Sequence, residues 1–258
     1  MGSASDQAAP QELFSARYRE GDYLENVPEW HAGDSPWKAG KVLEILQRNA
    51  IVPRSLCDVG CGAGNILVEL QSALGPAVHL VGYDISPQAI ALCAAKENAC
   101  LQFRQRDFLA DRDETYDVVL LLDVFEHVPN YLEFLTSLRG RARWYVFHIP
   151  LDLYVQALLR RSRPMLEMRR RYGHLHYFTA ETALATLADC GFVVRDSFFT
   201  WDTEIGGVPK RQAGLKGLLR HPLTCAIYFV ERLAFRWRPQ TVARFRRRYN
   251  LMVLASAG

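Results

Sequence analysis

The stretch Ser55-Leu56-Cys57-Asp58-Val59-Gly60-Cys61-Gly62-Ala63-Gly64-Asn65 decides how the rest of the chain reads. Ser55 to Val59 is an apolar run of strand length that stops at glycines. Beyond them, Ile66-Leu67-Val68-Glu69-Leu70 opens a pattern of apolar residues at helical spacing. Strand, glycine turn and helix start in succession aim backbone N–H groups at a polar or anionic ligand. Gly60 suits a sharp turn, and Gly62 and Gly64 are expected to let a ligand approach the backbone with no Cβ in the way. The next apolar run, Val78 to Tyr83, ends in Asp84, twenty residues past Gly64. An acidic residue at the tip of a second strand is where nucleotide-type folds grip a ribose diol. The dinucleotide fingerprint is G-x-G-x-x-G, whereas this chain has G-x-G-x-G with Asp58 just ahead of it. A carboxylate at the strand end suits a cationic amino acid better than a pyrophosphate.

Outward from this turn the pattern alternates. Strands are expected at 55–59, 78–83, 101–105, 117–122 and 142–149, with helices at 63–74, 87–98 and 130–139. Such alternation implies a parallel sheet with helices on both faces. Val118-Val119-Leu120-Leu121-Leu122 is apolar throughout, as a strand buried on both sides should be. Ligands in such sheets sit beyond the carboxyl ends of the strands, at the switch in strand order.

These residues carry a resemblance. Residues 56–64 resemble motif I of the class I S-adenosylmethionine (SAM)-dependent methyltransferases. Asp84, Arg106-Asp107-Phe108 and Tyr116-Asp117-Val118-Val119 leading to Asp123-Val124-Phe125-Glu126-His127-Val128 are similar to that family's later motifs, in order, within residues 36–150. The resemblance implies an α/β, Rossmann-like fold: a seven-stranded, mostly parallel sheet with an N-terminal helical lid and a helical insertion before the last strand. It implies SAM as cofactor. Asp58 and the loop Gly60-Cys61-Gly62 to Gly64 would hold the methionine part, and Asp84 the ribose hydroxyls, with Ile85 on the adenine. Asp107 would accept from the adenine amino group with Phe108 alongside. Asp123 and Val124 would close the methionyl end, and Trp37 or Lys38 would meet the SAM carboxylate or sulfonium.

The ends of the chain read differently. Residues 1–10 are expected to be a disordered tail and 11–50 a helical lid. The lid carries Tyr18, Tyr23, Trp30 and His31 as candidate substrate contacts, then a helix from an N-cap at Ser35 to about Asn49. Residues 51–204 and 249–258 would form the cofactor domain. Leu151 to Tyr172 reads as one arginine-rich helix, followed by Thr179 as N-cap of helix 180–189 and a strand from Phe192 to Phe199. Residues 205–248 read as a basic insertion with a helix at 222–237, ahead of a last, antiparallel strand from Asn250 to Leu254.

The net charge of +3 hides an asymmetry. Residues 1–138 hold 10 Lys and Arg against 20 Asp and Glu, and residues 139–258 hold 21 against 8. The basic half favours an anionic small-molecule substrate, an anionic membrane surface touched through 222–237, or an acidic partner, with a homodimer the plainer alternative. Six cysteines without C-x-x-C or zinc spacing read as reduced thiols of a cytoplasmic protein. The first ten residues lack a signal-peptide core, and no apolar run is long enough to span a membrane.

Methyl transfer from a sulfonium is an in-line displacement for which positioning supplies much of the rate. For an oxygen or nitrogen acceptor the candidate bases are His127, His148 and Tyr177, and Tyr172, His174 and His176 are further substrate contacts. His174-x-His176 without clustered carboxylates predicts no metal. The expected function is methyl transfer to a natural-product, sugar or lipid-linked small molecule. The alternative is a SAM-consuming cyclase or lyase of the same fold, which releases methylthioadenosine after attack by the SAM amino group, with aromatic residues enclosing the sulfonium. A nucleic-acid methyltransferase is disfavoured, because Asp-Val-Phe-Glu-His stands where Asn/Asp-Pro-Pro-aromatic is expected. A non-catalytic SAM-binding module would show erosion of the SAM-contacting positions, which this sequence does not have.

Overall fold

The computed structural model describes residues 32–201, 215–246 and 249–258. Tyr18, Tyr23, Trp30 and His31, and the expected tail, lie outside these residues. The glycine-turn reading holds at its centre: β1 (Ser55–Val59) runs through the turn into α2 (Asn65–Leu74). Ahead of it lies α1 (Ser35–Arg48). Then follow β2 (His79–Asp84), α3 (Pro87–Cys93), β3 (Leu101–Gln105), β4 (Tyr116–Leu122), α4 (Tyr131–Ser137) and β5 (Ala142–Pro150). The second half contributes α5 (Val155–Leu159), α6 (Arg163–Tyr172), α7 (Ala180–Asp189), β6 (Phe192–Trp201), α8 (Leu215–Trp237), α9 (Pro239–Phe245) and β7 (Tyr249–Ala257).

The seven strands form one sheet in the order β3-β2-β1-β4-β5-β7-β6. The first five pair in parallel, and β7 enters antiparallel between β5 and β6. Strand order reverses between β1 and β4, so the crevice for a ligand opens at the carboxyl ends of those two strands. Successive residues of β4 face opposite sides. Val119 and Leu121 enter the core under α4 and α7, while Val118, Leu120 and Leu122 enter the core under α1 and α2. α1 belongs to this second layer: Ala39, Val42, Ile45 and Leu46 pack with Leu67, Leu70, Met252 and Leu254.

Several boundaries differ from the sequence expectation. Ser35 is the buried first residue of α1 and not its cap; Asp34 occupies the cap position, and its side chain does not cap the helix. α3 gives way after Cys93 to a 3-10 turn at Ala94–Lys96. The single helix expected over 151–172 is two, parted at Arg161 and Ser162, whose φ of 54° and 55° no α-helix can continue through. β7 is longer than expected because all nine of its residues find partners on β6, and six of them, Asn250 to Ala255, pair with β5 as well. Thr179 caps α7 in a reciprocal box with Thr182, as its type and position predict.

α8 is seated through one face. Tyr228 and Phe235 stack on Trp201 and Tyr249, and Glu231 accepts from Arg246 and from the Tyr249 hydroxyl at 2.9 and 3.0 Å. Phe229, Val230, Leu233 and Trp237 on its opposite side are exposed. No helix among the described residues is long and apolar enough to cross a membrane.

Gly64 owes its identity to packing. Its φ is +74°, and a Cβ there would lie 2.4 Å from the Phe103 ring and 3.0 Å from Cys93 Sγ. Gly64→Ala is expected to cost about 2–4 kcal/mol in urea unfolding, from overpacking plus a left-handed backbone. Adding Phe103→Leu should return part of the loss. An alanine variant as stable as the parent would contradict the crowding.

Candidate active site

The turn after β1 is built by β2. Gly60 and Cys61 N–H both donate to the Tyr83 carbonyl, at 2.8 and 3.0 Å, and Gly60, Gly62 and Gly64 all take positive φ. Asp84, at the tip of β2, accepts from Gly62 N–H at 2.9 Å through one oxygen and from Ser86 N–H at 2.8 Å through the other. The second-strand carboxylate is therefore a brace for the glycine loop before it meets any ligand. Burial raises the Asp84 carboxyl despite N–H groups from Ser86, Gly62 and Ile85 that favour the charge. Asp58 lies buried below the loop. Burial, then the nearby Asp84 charge, push its carboxyl up to about 8, with Lys38 working the other way.

Asp123 follows β4 directly and is held at φ +58°, a left-handed conformation uncommon for a non-glycine residue. Lys38 from α1 donates to its Oδ2 at 2.6 Å, and His148 from β5 donates to its Oδ1 at 2.7 Å. The other His148 nitrogen pairs with Thr200 of β6 at 2.9 Å. Trp37 stands edge-on to the imidazole at 5.9 Å between ring centres. Burial alone would raise the Asp123 carboxyl, but His148 and Lys38 outweigh it and hold it well below the usual carboxylate range. Val124, next along, comes within 3.1 Å of where a Gly60 Cβ would lie, so the fourth-strand loop seats directly on the glycine turn.

Past Val124, a 3-10 turn at Phe125–His127 carries Glu126, which is fully buried. Burial, and then the Asp123 charge, push its carboxyl well above the ordinary range. His127 Nε2 lies 3.7 Å from Glu126 Oε1, and the His127 ring meets that of His174 edge-on at 4.9 Å. Asp152 accepts from His174 Nδ1 at 2.5 Å.

The sequence candidates thus separate. Asp58, the glycine turn, Asp84, Asp123, Val124, Trp37 and Lys38 converge at the crevice, and Ile85 is half-buried beside Asp84. Cys61 turns its thiol towards Gly82, leaving only its backbone to the turn. Asp107 is exposed and caps the next turn through Leu109 N–H. The Phe108 ring, expected alongside an adenine, is instead 1% exposed and packed between Tyr83 and the Arg141 guanidinium, because the β3 loop folds back into the core. His148 has both nitrogens engaged, by Asp123 and Thr200. Tyr177 donates its hydroxyl to the Met165 carbonyl, and His176 donates to the Val128 carbonyl while its ring packs on Tyr131. Both serve local structure. Tyr172 lies 6.1 Å, ring to ring, from His174. Glu126, Asp152 and Thr200 were not among the sequence candidates. Glu126 was signalled by its place beside His127, an acid in an otherwise apolar turn; Asp152 and Thr200 carry no local signal.

A family model for a methyltransferase domain matches residues 34–197, well over half of the chain. The chain belongs to the class I SAM-dependent methyltransferase family. It is 38% identical over 104 residues to a ribosomal protein L11 methyltransferase of Lactobacillus johnsonii, covering 35% of this chain and 32% of that one. To a ubiquinone biosynthesis O-methyltransferase of Histophilus somni it is 31% identical over 102 residues, covering 36% and 42%. The matches thus span about a third to two-fifths of these curated relatives. Among solved structures, magnesium protoporphyrin IX methyltransferase from Synechocystis with bound S-adenosylhomocysteine superposes with a TM-score of 0.58 at 16% identity, covering 95% and 98%. The plantazolicin methyltransferase BpumL does so with 0.58 at 19%, covering 96% and 95%. These likenesses carry the fold, whose mostly parallel seven-stranded sheet is the one described above.

Asp123→Asn keeps the shape and tolerance of left-handed φ but removes the charge that Lys38 and His148 hold. The loss at pH 7 is expected to be about 1.5–3 kcal/mol, the size of hydrogen bonds to a charged group. The native carboxyl is depressed, so wild-type's advantage exists above the unfolded value near 3.9 and fades as pH falls through the lower native one. Urea melts of both proteins from pH 7 downward test this; a gap that stays constant into acid would count against the ion pairs as its source.

Proposed function

We propose that the chain is a SAM-dependent methyltransferase acting on a small-molecule acceptor through oxygen or nitrogen. One observation carries the reading: Asp58, the Gly60–Gly64 turn, Asp84 and the Lys38–Asp123 pair meet at the switch point between β1 and β4. The donor set fits the cofactor. Two buried carboxylates, one of them ionising only near pH 8, suit an ammonium and a ribose diol and would repel a pyrophosphate. SAM, when bound, supplies a methyl group on a sulfonium. Asp58 and the turn would hold its amino-acid end, Asp84 its ribose, and Asp123 with Val124 would close the crevice beside it. Lys38 and His148 keep Asp123 in place for that task.

The acceptor end falls to the Glu126–His127–His174 cluster, the titratable groups next along from Asp123. With His148 and Tyr177 already engaged, the acceptor's reacting atom would be placed here. The arginines of α6 make an anionic acceptor the favoured class, and Arg169, Arg170 and Arg171 are exposed there. The exposed side of α8 marks where a lipid-linked acceptor's surroundings, or a second subunit, would lie.

The decisive experiment is mass spectrometry of products formed from SAM alone and from SAM with a metabolite extract. S-adenosylhomocysteine appearing only with extract is expected. Methylthioadenosine formed from SAM alone, above the uncatalysed background, would replace methyl transfer by cyclisation.

Asp58 makes SAM binding pH-dependent. Its carboxyl titrates near 8 in the ligand-free protein, so at pH 7 it is mostly protonated and must lose the proton to pair with an ammonium. Affinity should therefore tighten towards tenfold per pH unit between pH 6 and 7, with proton release visible by calorimetry in two buffers. The same sign means that the ligand-free protein loses stability as pH rises from about 4 towards 8, since the unfolded carboxylate ionises first. Asp58→Asn is expected to abolish the proton release and to cost about 2–5 kcal/mol of binding. Wild-type affinity in that variant would remove Asp58 from the site.

A further inference from the structure

Glu126, His127 and His174 each offer one ligating atom, and the three atoms lie within 4.8 Å of one another. Glu126 is 0% exposed, and neither of its carboxylate oxygens has a hydrogen-bond partner among the described residues. A buried carboxylate left in that state is costly unless something at the site compensates it. His174 is brought there by its neighbours: Leu175 and His176 N–H both donate to the Glu126 carbonyl, at 2.8 and 3.2 Å, which clamps the segment after α6 onto the Glu126 turn. Asp152 accepts a hydrogen bond from His174 Nδ1–H, which leaves the Nε2 lone pair to serve as the ligating atom. A carboxylate behind a histidine in this way is how metal-ligating imidazoles are oriented and made more basic.

We infer that Glu126, His127 and His174 form a binding site for one divalent transition-metal ion. Two imidazoles and one carboxylate suit zinc, cobalt, iron or manganese, whereas magnesium and calcium take oxygen donors. Ligand atoms about 2.1 Å from a shared tetrahedral metal lie about 3.4 Å apart, so a cluster within 4.8 Å closes by at most about 1.4 Å on binding. Three protein ligands leave positions open, which is the arrangement of a catalytic and not a structural site. His176, the partner that H-x-H spacing would have nominated, is not a ligand, because its ring nitrogen is spent on the Val128 carbonyl. The site does not depend on the acceptor's identity. Under the proposed methyl transfer, an acceptor hydroxyl bound to the ion would be more acidic and would release its proton to solvent, leaving the oxygen to attack.

The test is Co2+ titration of the chelator-treated full chain, with no SAM or acceptor present, followed by visible absorption and competition with Zn2+. One equivalent of Co2+ with d–d bands that Zn2+ abolishes is expected. His174→Ala and Glu126→Gln should weaken binding at least tenfold, and Asp152→Asn by about 10–100-fold. SAM affinity and thermal melting of each variant report whether it is folded; should Glu126→Gln fail to fold, His174→Ala and Asp152→Asn decide. No saturable Co2+ binding, or binding unchanged by His174→Ala, overturns the site. Either result leaves SAM binding and S-adenosylhomocysteine formation as separate readouts, so loss of the metal and loss of the proposed activity are distinguishable.

Discussion

Asp123 is where the architecture is tied together. One carboxylate, held in a left-handed backbone that costs about 1–3 kcal/mol, joins α1 through Lys38 and β5 through His148, and reaches β6 through Thr200. These elements come from both halves of the chain, and no single layer of the sheet contains them. The strained residue persists because three groups over-determine it. Its consequence is a fixed floor to the crevice: Val124 is set against Gly60, and the Glu126 turn follows at once.

Charge at the crevice is unusual in that it is buried on both sides of the cofactor's expected place. Asp58 and Glu126 are each pushed upward by burial and by a neighbouring carboxylate, Asp84 in one case and Asp123 in the other. Asp123 is pulled the opposite way by His148 and Lys38. Carboxyl groups whose environments separate their titrations in this manner mark a functional centre more reliably than their number does. The arrangement also explains why Lys38 matters beyond its one ion pair: it is the cation that acts on Asp58, Asp123 and Glu126 alike.

Much of this is legible in the sequence. The parallel half of the sheet follows from continuous apolar runs such as Val118 to Leu122, and the ligand end from glycines placed after β1. Legibility failed where the deciding contact is distant in sequence. Phe108 follows Asp107 in the sequence, which places it beside a ligand, yet Tyr83 and Arg141 draw it inward. His148 looked like a base, but Thr200, fifty-two residues away, takes its second nitrogen. Gly64 is required by Phe103, a contact that no local pattern announces. The break between α5 and α6 was hidden because arginines continue across it, and left-handed φ at Arg161 and Ser162 has no signature in residue type.

The place of β7 has a bearing on how the chain reaches its native form. β6 touches the rest of the sheet only through β7, which is made some fifty residues later. On a ribosome, the five parallel strands can assemble while β6 still lacks any neighbour in the sheet. Closure of that edge must wait for β7 to emerge and slide between two strands already synthesised, a non-local step that is intrinsically slow. Because Thr200 rides on β6, the hydrogen-bond chain through His148 to Asp123 is completed only at that final insertion. A nascent chain would thus carry the glycine turn and its acids in place before the crevice has its far wall.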